Sequence, residues 1–276
     1  MVLVSPRNPL NIGAVARALA NFSFSRLTVV APYEPHWREA RSAVGAPELL
    51  QNARETVSLA AAVADCTFVA GTGTRTHRKP EQPVLPLPEA GPIFAGQLAG
   101  GGRAALVFGP EKHGLTRDDL SYCHALIEIP TDARQPSMNL GQAVAVCLYE
   151  LACGALQGIE PGQNELRALS PSRPTPPARR EPGEGATFGH AAFEDKQGEP
   201  PPAAPSIELD RLAGLIEDTM MAAGYSPRAM QPANRHDLRL LLRRLAPSAL
   251  DTRRMLGLFR RILYRLGRSS GRQERS

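Results

Sequence analysis

The run Gln135-Pro136-Ser137-Met138-Asn139-Leu140 sets a hydroxyl and an amide in a short loop just before an apolar, helix-like pattern. Ser137 and Asn139 can exchange hydrogen bonds with a small ligand at such a turn. Read alone, the run is also a good helix start, with Asn139 capping the free N–H groups ahead of Leu140, Val144, Leu148 and Leu151. A second stretch runs from Pro6 to Arg17 and follows an apolar run directly. Its Pro and Asn residues make a turn, Asn11 can cap the next helix, and Gly13 permits close approach of backbone or ligand. Arg17 lies one helical turn further in. A helix start with an arginine nearby suits a phosphate, and Arg17 is equally well an ordinary surface residue.

Two further stretches carry weaker signals. Gly71-Thr72-Gly73-Thr74-Arg75 follows an apolar run and lets a ligand approach backbone, yet it lacks the spacing of a dinucleotide fingerprint and also reads as a plain turn. Arg75, His77, Arg78 and Lys79 could hold phosphate or simply be solvated. Gly109-Pro110-Glu111-Lys112-His113-Gly114-Leu115 follows the apolar run Leu106-Val107-Phe108. Ligands of open α/β sheets sit beyond the carboxyl ends of strands, where this loop falls. Glu111 fits best as an acceptor for backbone N–H groups, with general base as the second reading. The sequence assigns His113 no role.

The elements that must position these residues alternate. Val2-Leu3-Val4, Leu27-Thr28-Val29-Val30, Thr67-Phe68-Val69-Ala70, Ala104-Ala105-Leu106-Val107-Phe108 and Leu126-Ile127-Glu128-Ile129 read as strands. Helices are expected over residues 12–21, 55–64, 93–98, 116–122 and 140–156. This alternation predicts an α/β fold, a mainly parallel sheet with helices on both faces, over residues 1–157. Residues 158–205 are rich in Pro and Gly and read as a flexible, partly extended linker. Residues 206–268 read as a small three-helix bundle with a Leu-rich seam. Its second helix starts at Asn234 and turns Leu238, Leu241, Leu242 and Leu245 inward; its third starts near Asp251 or Thr252. Its outer face is expected to show Arg239, Arg243, Arg244, Arg253, Arg254, Arg260, Arg261 and Arg265.

Charge divides the chain in the same way. Residues 206–276 hold 14 Arg, no Lys and 7 acidic residues, a net +7, within a chain whose total is +5. A basic module on a near-neutral body suggests a polyanion partner, nucleic acid first. A solvated Arg-rich surface is the plainer alternative. Cys66, Cys123, Cys147 and Cys153 lack metal-ligand spacing, so no metal is expected, and reduced cysteines fit a cytoplasmic protein. No signal peptide and no membrane span is expected.

Taken together and in this order, Asn11-Ile12-Gly13 with Arg17, the run from Phe108 to Leu115, and Ser137-Met138-Asn139-Leu140 with Ala143-Val144 resemble the SPOUT methyltransferases, and within them the TrmJ family. The resemblance covers most of residues 1–157. It implies an S-adenosylmethionine-dependent enzyme that methylates the ribose 2′-hydroxyl at position 32 of the tRNA anticodon loop, on cytidine, uridine or both. It also implies a C-terminal trefoil knot, a homodimer with the site completed across the interface, and a basic C-terminal RNA-binding extension. By the same resemblance Thr72, Gly73, Thr74, Gly109, Ile129, Pro136, Ser137 and Met138 hold the cofactor. Arg17 is the main catalytic residue, as base or as anchor for phosphate and ribose, with Asn11, Ser137 and Asn139 beside it. Arg75, Arg78, Arg239, Arg243, Arg244, Arg260 and Arg261 contact RNA. The chain departs from the family pattern at Leu10 and Ser23, where Gly is common, and at Met138, where Leu is usual. An rRNA methyltransferase of the same superfamily and a non-catalytic RNA-binding protein on this scaffold are the alternatives.

Overall fold

The computed structural model describes residues 1–73, 80–132, 134–157 and 201–273. Among these, seven strands form one sheet: β1 (Val2–Val4), β2 (Thr28–Val30), β3 (Arg54–Thr56), β4 (Phe68–Thr72), β5 (Val84–Pro86), β6 (Ala104–Phe108) and β7 (Ala125–Glu128). Their order is β3-β2-β1-β6-β4-β7-β5, and neighbouring strands pair in parallel throughout. The strands are joined by α1 (Pro9–Asn21), α2 (Pro47–Gln51), α3 (Leu59–Ala62), α4 (Leu87–Ala99) and α5 (Arg117–Ser121), and α6 (Leu140–Gln157) follows β7.

Near-continuous apolar strands are what a sheet covered on both faces requires. Successive side chains point to opposite faces. Leu3, Leu106 and Phe108 accordingly join one core with Ile12, Val15, Leu19, Val144 and Leu148. Val2, Val4 and Val107 join the other core with Leu59, Val63, Leu115 and Leu126. The expected mainly parallel α/β fold is thus present, with a helical region after it.

Several boundaries differ from the sequence reading. Residues 55–64 are not one helix: Arg54–Thr56 forms β3, Ser58 caps the short α3 by accepting from the Ala61 N–H, and the chain turns again at Val63. β5 and α2 lack an amphipathic signal because each is short. Gly71 and Thr72 belong to β4 rather than to the turn after it. Asn11 does not cap α1. Asn8 does, accepting from the Leu10 N–H at 3.0 Å, with Pro9 at the first helical position, where its missing N–H costs nothing. That frees the Asn11 amide for another use. Asn139 does cap α6, accepting from the Gly141 N–H at 2.9 Å. Ser23 has φ of 60°, a left-handed conformation in which a Cβ is strained, so a glycine is the natural occupant.

The C-terminal region comprises α7 (Ser206–Ala222), α8 (Gln231–Leu245) and α9 (Ala249–Gln273), packed around Leu209, Leu212, Leu242 and Leu256. Asn234 lies inside α8, and Ser248 rather than Asp251 or Thr252 caps α9 by accepting from the Asp251 N–H. Leu241 and Leu245, expected inside, are 39% and 63% exposed, because the seam of α8 runs through His236, Leu242 and Arg243 instead. Residues 201–205 run beside 247–249, with Ala203 bridged antiparallel to Ser248. The rest of the Pro/Gly-rich segment, 158–200, lies outside the described residues. No helix among the described residues is long and apolar enough to cross a membrane.

Candidate active site

Because neighbouring strands are parallel, their carboxyl ends lie along one edge of the sheet. The loops leaving β4, β6 and β7 enclose a cavity of about 420 Å³ there. Thr72 and Gly73, residues 109–114, Ile129, and Pro136, Ser137 and Met138 all line it, with Ile127, Leu140 and Ala143 as apolar floor. The described positions that the resemblance assigns to a cofactor, Thr72, Gly73, Gly109, Ile129, Pro136, Ser137 and Met138, therefore meet at one place. Thr74, Arg75 and Arg78 lie outside the described residues.

Each wall is held from behind. The Thr72 hydroxyl donates to the Val107 carbonyl at 3.1 Å, and the Gly73 N–H donates to the Ile127 carbonyl at 3.2 Å, tying β4 to both neighbours. The loop after β6 folds so tightly that a Cβ on Gly109 would stand 2.2 Å from the Gly114 carbonyl carbon. Only glycine fits that crossing. The Thr131 hydroxyl donates to the Pro136 carbonyl at 3.3 Å and closes the loop after β7.

Glu111 joins three of the singled-out stretches. Its carboxylate accepts from the Arg7 N–H at 3.1 Å, the Asn8 N–H at 3.2 Å and the Asn11 Nδ2 at 2.9 Å. The Asn139 Nδ2 donates in turn to the Asn11 Oδ1 at 3.0 Å. Partial burial pushes the Glu111 carboxyl up, but the hydrogen bonds from Asn11 and the backbone outweigh it and hold the group below the ordinary glutamate range. A carboxylate kept ionised by three donors is a weak base. The loop-fixing reading of Glu111 therefore stands over the general-base reading.

Arg17 is not on the cavity wall of its own chain. It is exposed on α1 and has no hydrogen-bond or ion-pair partner among the described residues. Asn11 and Asn139 also stand behind the wall rather than on it. Lys112 and His113, given no role from the sequence, do line the cavity. The sequence signal for them is their place in the loop that follows the apolar run Leu106-Val107-Phe108.

The expected RNA face of the helical region is split. Arg244, Arg253, Arg254, Arg260, Arg261 and Arg265 are exposed. Arg239 and Arg243 are not part of that face: Arg243 is 3% exposed, and both guanidinium groups stack on the Tyr122 ring at the end of α5. Helical periodicity alone could not reveal this, because the covering surface belongs to the other part of the chain. Among the described residues no group of three or more His, Cys, Asp or Glu side chains is placed to hold a metal ion, and the four cysteines are free thiols.

Residues 1–149 match the model of the SpoU rRNA methylase family, more than half of the chain. The chain belongs to the SpoU rRNA methylase family. Among its relatives, the tRNA (cytidine/uridine/adenosine-2′-O-)-methyltransferase TrmJ of Pseudomonas aeruginosa is 39% identical over 152 residues, covering 55% of this chain and 59% of that protein's length. The tRNA (cytidine/uridine-2′-O-)-methyltransferase TrmJ of Pectobacterium atrosepticum is 29% identical over 259 residues, 94% of this chain and 93% of that one. The crystal structure of TrmJ from Z. mobilis ZM4 superposes with a TM-score of 0.71 at 28% identity, covering 95% of this chain and 97% of that one. The SpoU domain thus holds the cavity, and the likeness to TrmJ proteins continues through α7–α9.

Proposed function

We propose that the chain is an S-adenosylmethionine-dependent tRNA ribose 2′-O-methyltransferase. One observation carries the reading: the SpoU-family motifs converge on a single cavity at the carboxyl edge of the sheet, in a chain matched over 94% of its length by a protein named for that activity. The extended match through the helical region favours tRNA over rRNA as substrate. Position 32 of the anticodon loop, on cytidine or uridine, is the target that the motif resemblance supports. A cytoplasmic setting suits a tRNA-modifying enzyme.

The cavity fits the cofactor by size and lining. Small-molecule sites span roughly 300–1,000 Å³ and combine apolar walls with a few polar groups. Here Ile127, Ile129, Met138 and Leu140 supply apolar wall, and Ser137 and backbone groups of the three loops supply donors and acceptors. Among the described residues no heavy atom outside its neighbours lies within 4 Å of where a Gly73 Cβ would be, so a ligand can press against that backbone. Thr72, Gly73, Gly109, Ile129, Pro136, Ser137 and Met138 would hold it. When bound, S-adenosylmethionine supplies a methyl group activated by its sulfonium.

The chain's own residues then align the acceptor. Arg17 anchors a phosphate beside the target ribose and orients its 2′-hydroxyl, because a guanidinium hardly deprotonates and cannot serve well as a base. Asn11 and Asn139, bonded to each other and to Glu111, hold the loops that present Ser137. Arg17 is exposed and absent from the wall of its own cavity, and the exposed Leu10 lies seven residues earlier on the same helical face. Exposed Val146 and Tyr149 lie on the neighbouring α6. These support a homodimer in which one copy's Arg17 completes the other's site. A trefoil knot formed by the loops after β6 and β7 belongs to the same reading, as does RNA contact by Arg260 and Arg261.

The test is methyl transfer from labelled S-adenosylmethionine to an unmodified tRNA pool, read by nucleoside mass spectrometry. A 2′-O-methylated nucleoside formed by wild type and reduced about 100-fold or more in Arg17→Ala is expected, in line with the cost of misaligning a reactant. No 2′-O-methylation by wild type would refute the reading.

A further inference from the structure

The two arginines withdrawn from the basic face carry an inference of their own. Arg243 of α8 is buried, and its Nη2 donates to the Ser206 Oγ at 2.8 Å and to the Asp210 Oδ1 at 3.2 Å, both on α7. Its guanidinium lies 5.3 Å from the centroid of the Tyr122 ring. Arg239, one turn earlier, lies 4.3 Å from the same centroid and pairs with the Asp118 Oδ1 of α5 at 3.1 Å. Tyr122 itself is buried. A buried guanidinium is tolerated only with partners arranged around it, and here the partners come from both parts of the chain.

The ring side of this contact leads straight to the cavity. Tyr122 terminates α5, and Thr116 begins it with a reciprocal capping box to Asp119. Between that cap and the cavity-lining residues 109–114 there is only Leu115, which is fully buried. A second tie runs alongside. Glu81, just before β5, lies 3.4 Å from Arg117 of α5 and 3.8 Å from His236 of α8. The helical region is therefore fastened to the short helix that closes the cavity loop, while Arg253, Arg254, Arg260 and Arg261 of α9 stay exposed.

We propose that Tyr122, Arg239 and Arg243 form a latch that fixes the basic helical region on the methyltransferase domain, so that RNA held by α9 is presented in register with the cavity. The proposal rests on the RNA-methyltransferase reading for its functional half, but the docking itself does not. These three are positioning residues: none of them lines the cavity. Their role is pre-organisation, which lowers the ordering cost of aligning two bound partners.

The test uses the full chain in three forms: wild type, Tyr122→Ala and Tyr122→Phe. Small-angle scattering reads the docking without any RNA chemistry, and the radius of gyration should rise in Tyr122→Ala and return to the wild-type value in Tyr122→Phe, which keeps the ring. At saturating tRNA, kcat should fall about tenfold in Tyr122→Ala, with the Kd values for tRNA and S-adenosylmethionine within about twofold of wild type, since neither binding surface is touched. Tyr122→Phe should restore kcat to within about twofold, because the cation–π face is intact. If Tyr122→Ala fails to fold, Arg243→Lys serves, since it keeps the charge but loses the planar stack, and kcat should fall at least about threefold. Unchanged scattering and kcat in the variants would overturn the latch. So would parallel loss of cofactor binding, which marks plain structural damage, or tighter tRNA binding, which marks an inhibitory contact. A wild-type enzyme that methylates no RNA would overturn the functional reading and leave the scattering to decide the docking.

Discussion

The Asn139 Nδ2 donates to the Asn11 Oδ1 at 3.0 Å, across 128 positions of sequence. The Asn11 Nδ2 passes the connection on to Glu111, and the Asn139 Oδ1 caps α6. One asparagine pair thus ties the turn after β1, the loop after β6 and the loop after β7. Asn11→Ala and Asn139→Ala should each cost about 1 kcal/mol in urea unfolding, the scale of a net intramolecular hydrogen bond. The double variant should fall short of the sum by at least about 0.5 kcal/mol, because the two residues share a bond. Strict additivity would mean that the pair is not formed in solution.

The Glu111 carboxyl is held below the ordinary glutamate range. A depressed folded-state value contributes stability that is present above the unfolded-state value and is lost as pH falls through the folded one. The melting temperature should therefore drop on acidification below the ordinary glutamate range. Glu111→Gln should lower the neutral-pH melting temperature and flatten that part of the profile. Parallel wild-type and variant profiles in thermal unfolding would refute the assignment.

Two cavity glycines should answer differently to one methyl group. Gly109→Ala drives a Cβ into the backbone of Gly114 and Leu115, at 2.2 and 2.3 Å. Backbone cannot swing aside as a side chain can, so a loss of about 2–3 kcal/mol or more is expected. Gly73→Ala meets nothing within 4 Å among the described residues. Its unfolding free energy should stay within about 0.5 kcal/mol of wild type, as for a substitution that neither clashes nor leaves a void. Calorimetry should nevertheless show S-adenosylmethionine binding weakened about tenfold, since the methyl fills contact space at the ligand.

Arg260 and Arg261 are exposed on α9, unlike Arg239 and Arg243. Replacing both with Gln should weaken tRNA binding and reduce the slope of log K against log salt by about 1–2, one counterion per lost phosphate contact. Cofactor affinity should not move. An unchanged salt slope would show that the exposed face of α9 does not meet RNA.

Periodicity made the architecture legible where an element was long or its pattern strong. Ala104–Phe108 and the start of α6 at Leu140 fall where the sequence puts them, because an unbroken apolar run and a capped amphipathic pattern leave little choice. β3 escaped because Arg54-Glu55-Thr56 is polar and largely exposed, and β5 because its short run ends in a proline and is only half-buried. Asn8 took the cap expected of Asn11 because the helix begins at Pro9, a boundary that local chemistry sets only to within a few residues.

The sequence by itself determined which residues would gather at the carboxyl edge of the sheet, since parallel strands send their following loops to one side. It also determined that the last quarter of the chain would be basic and helical. Tertiary structure alone decided how those residues are used. The Asn11 amide went to Glu111 and Asn139, and Arg239 and Arg243 were drawn onto Tyr122. The physical reason is common to both. A polar side chain goes where its hydrogen bonds and charge are best satisfied, and the partners that satisfy it here are held close by the fold, many positions away in sequence.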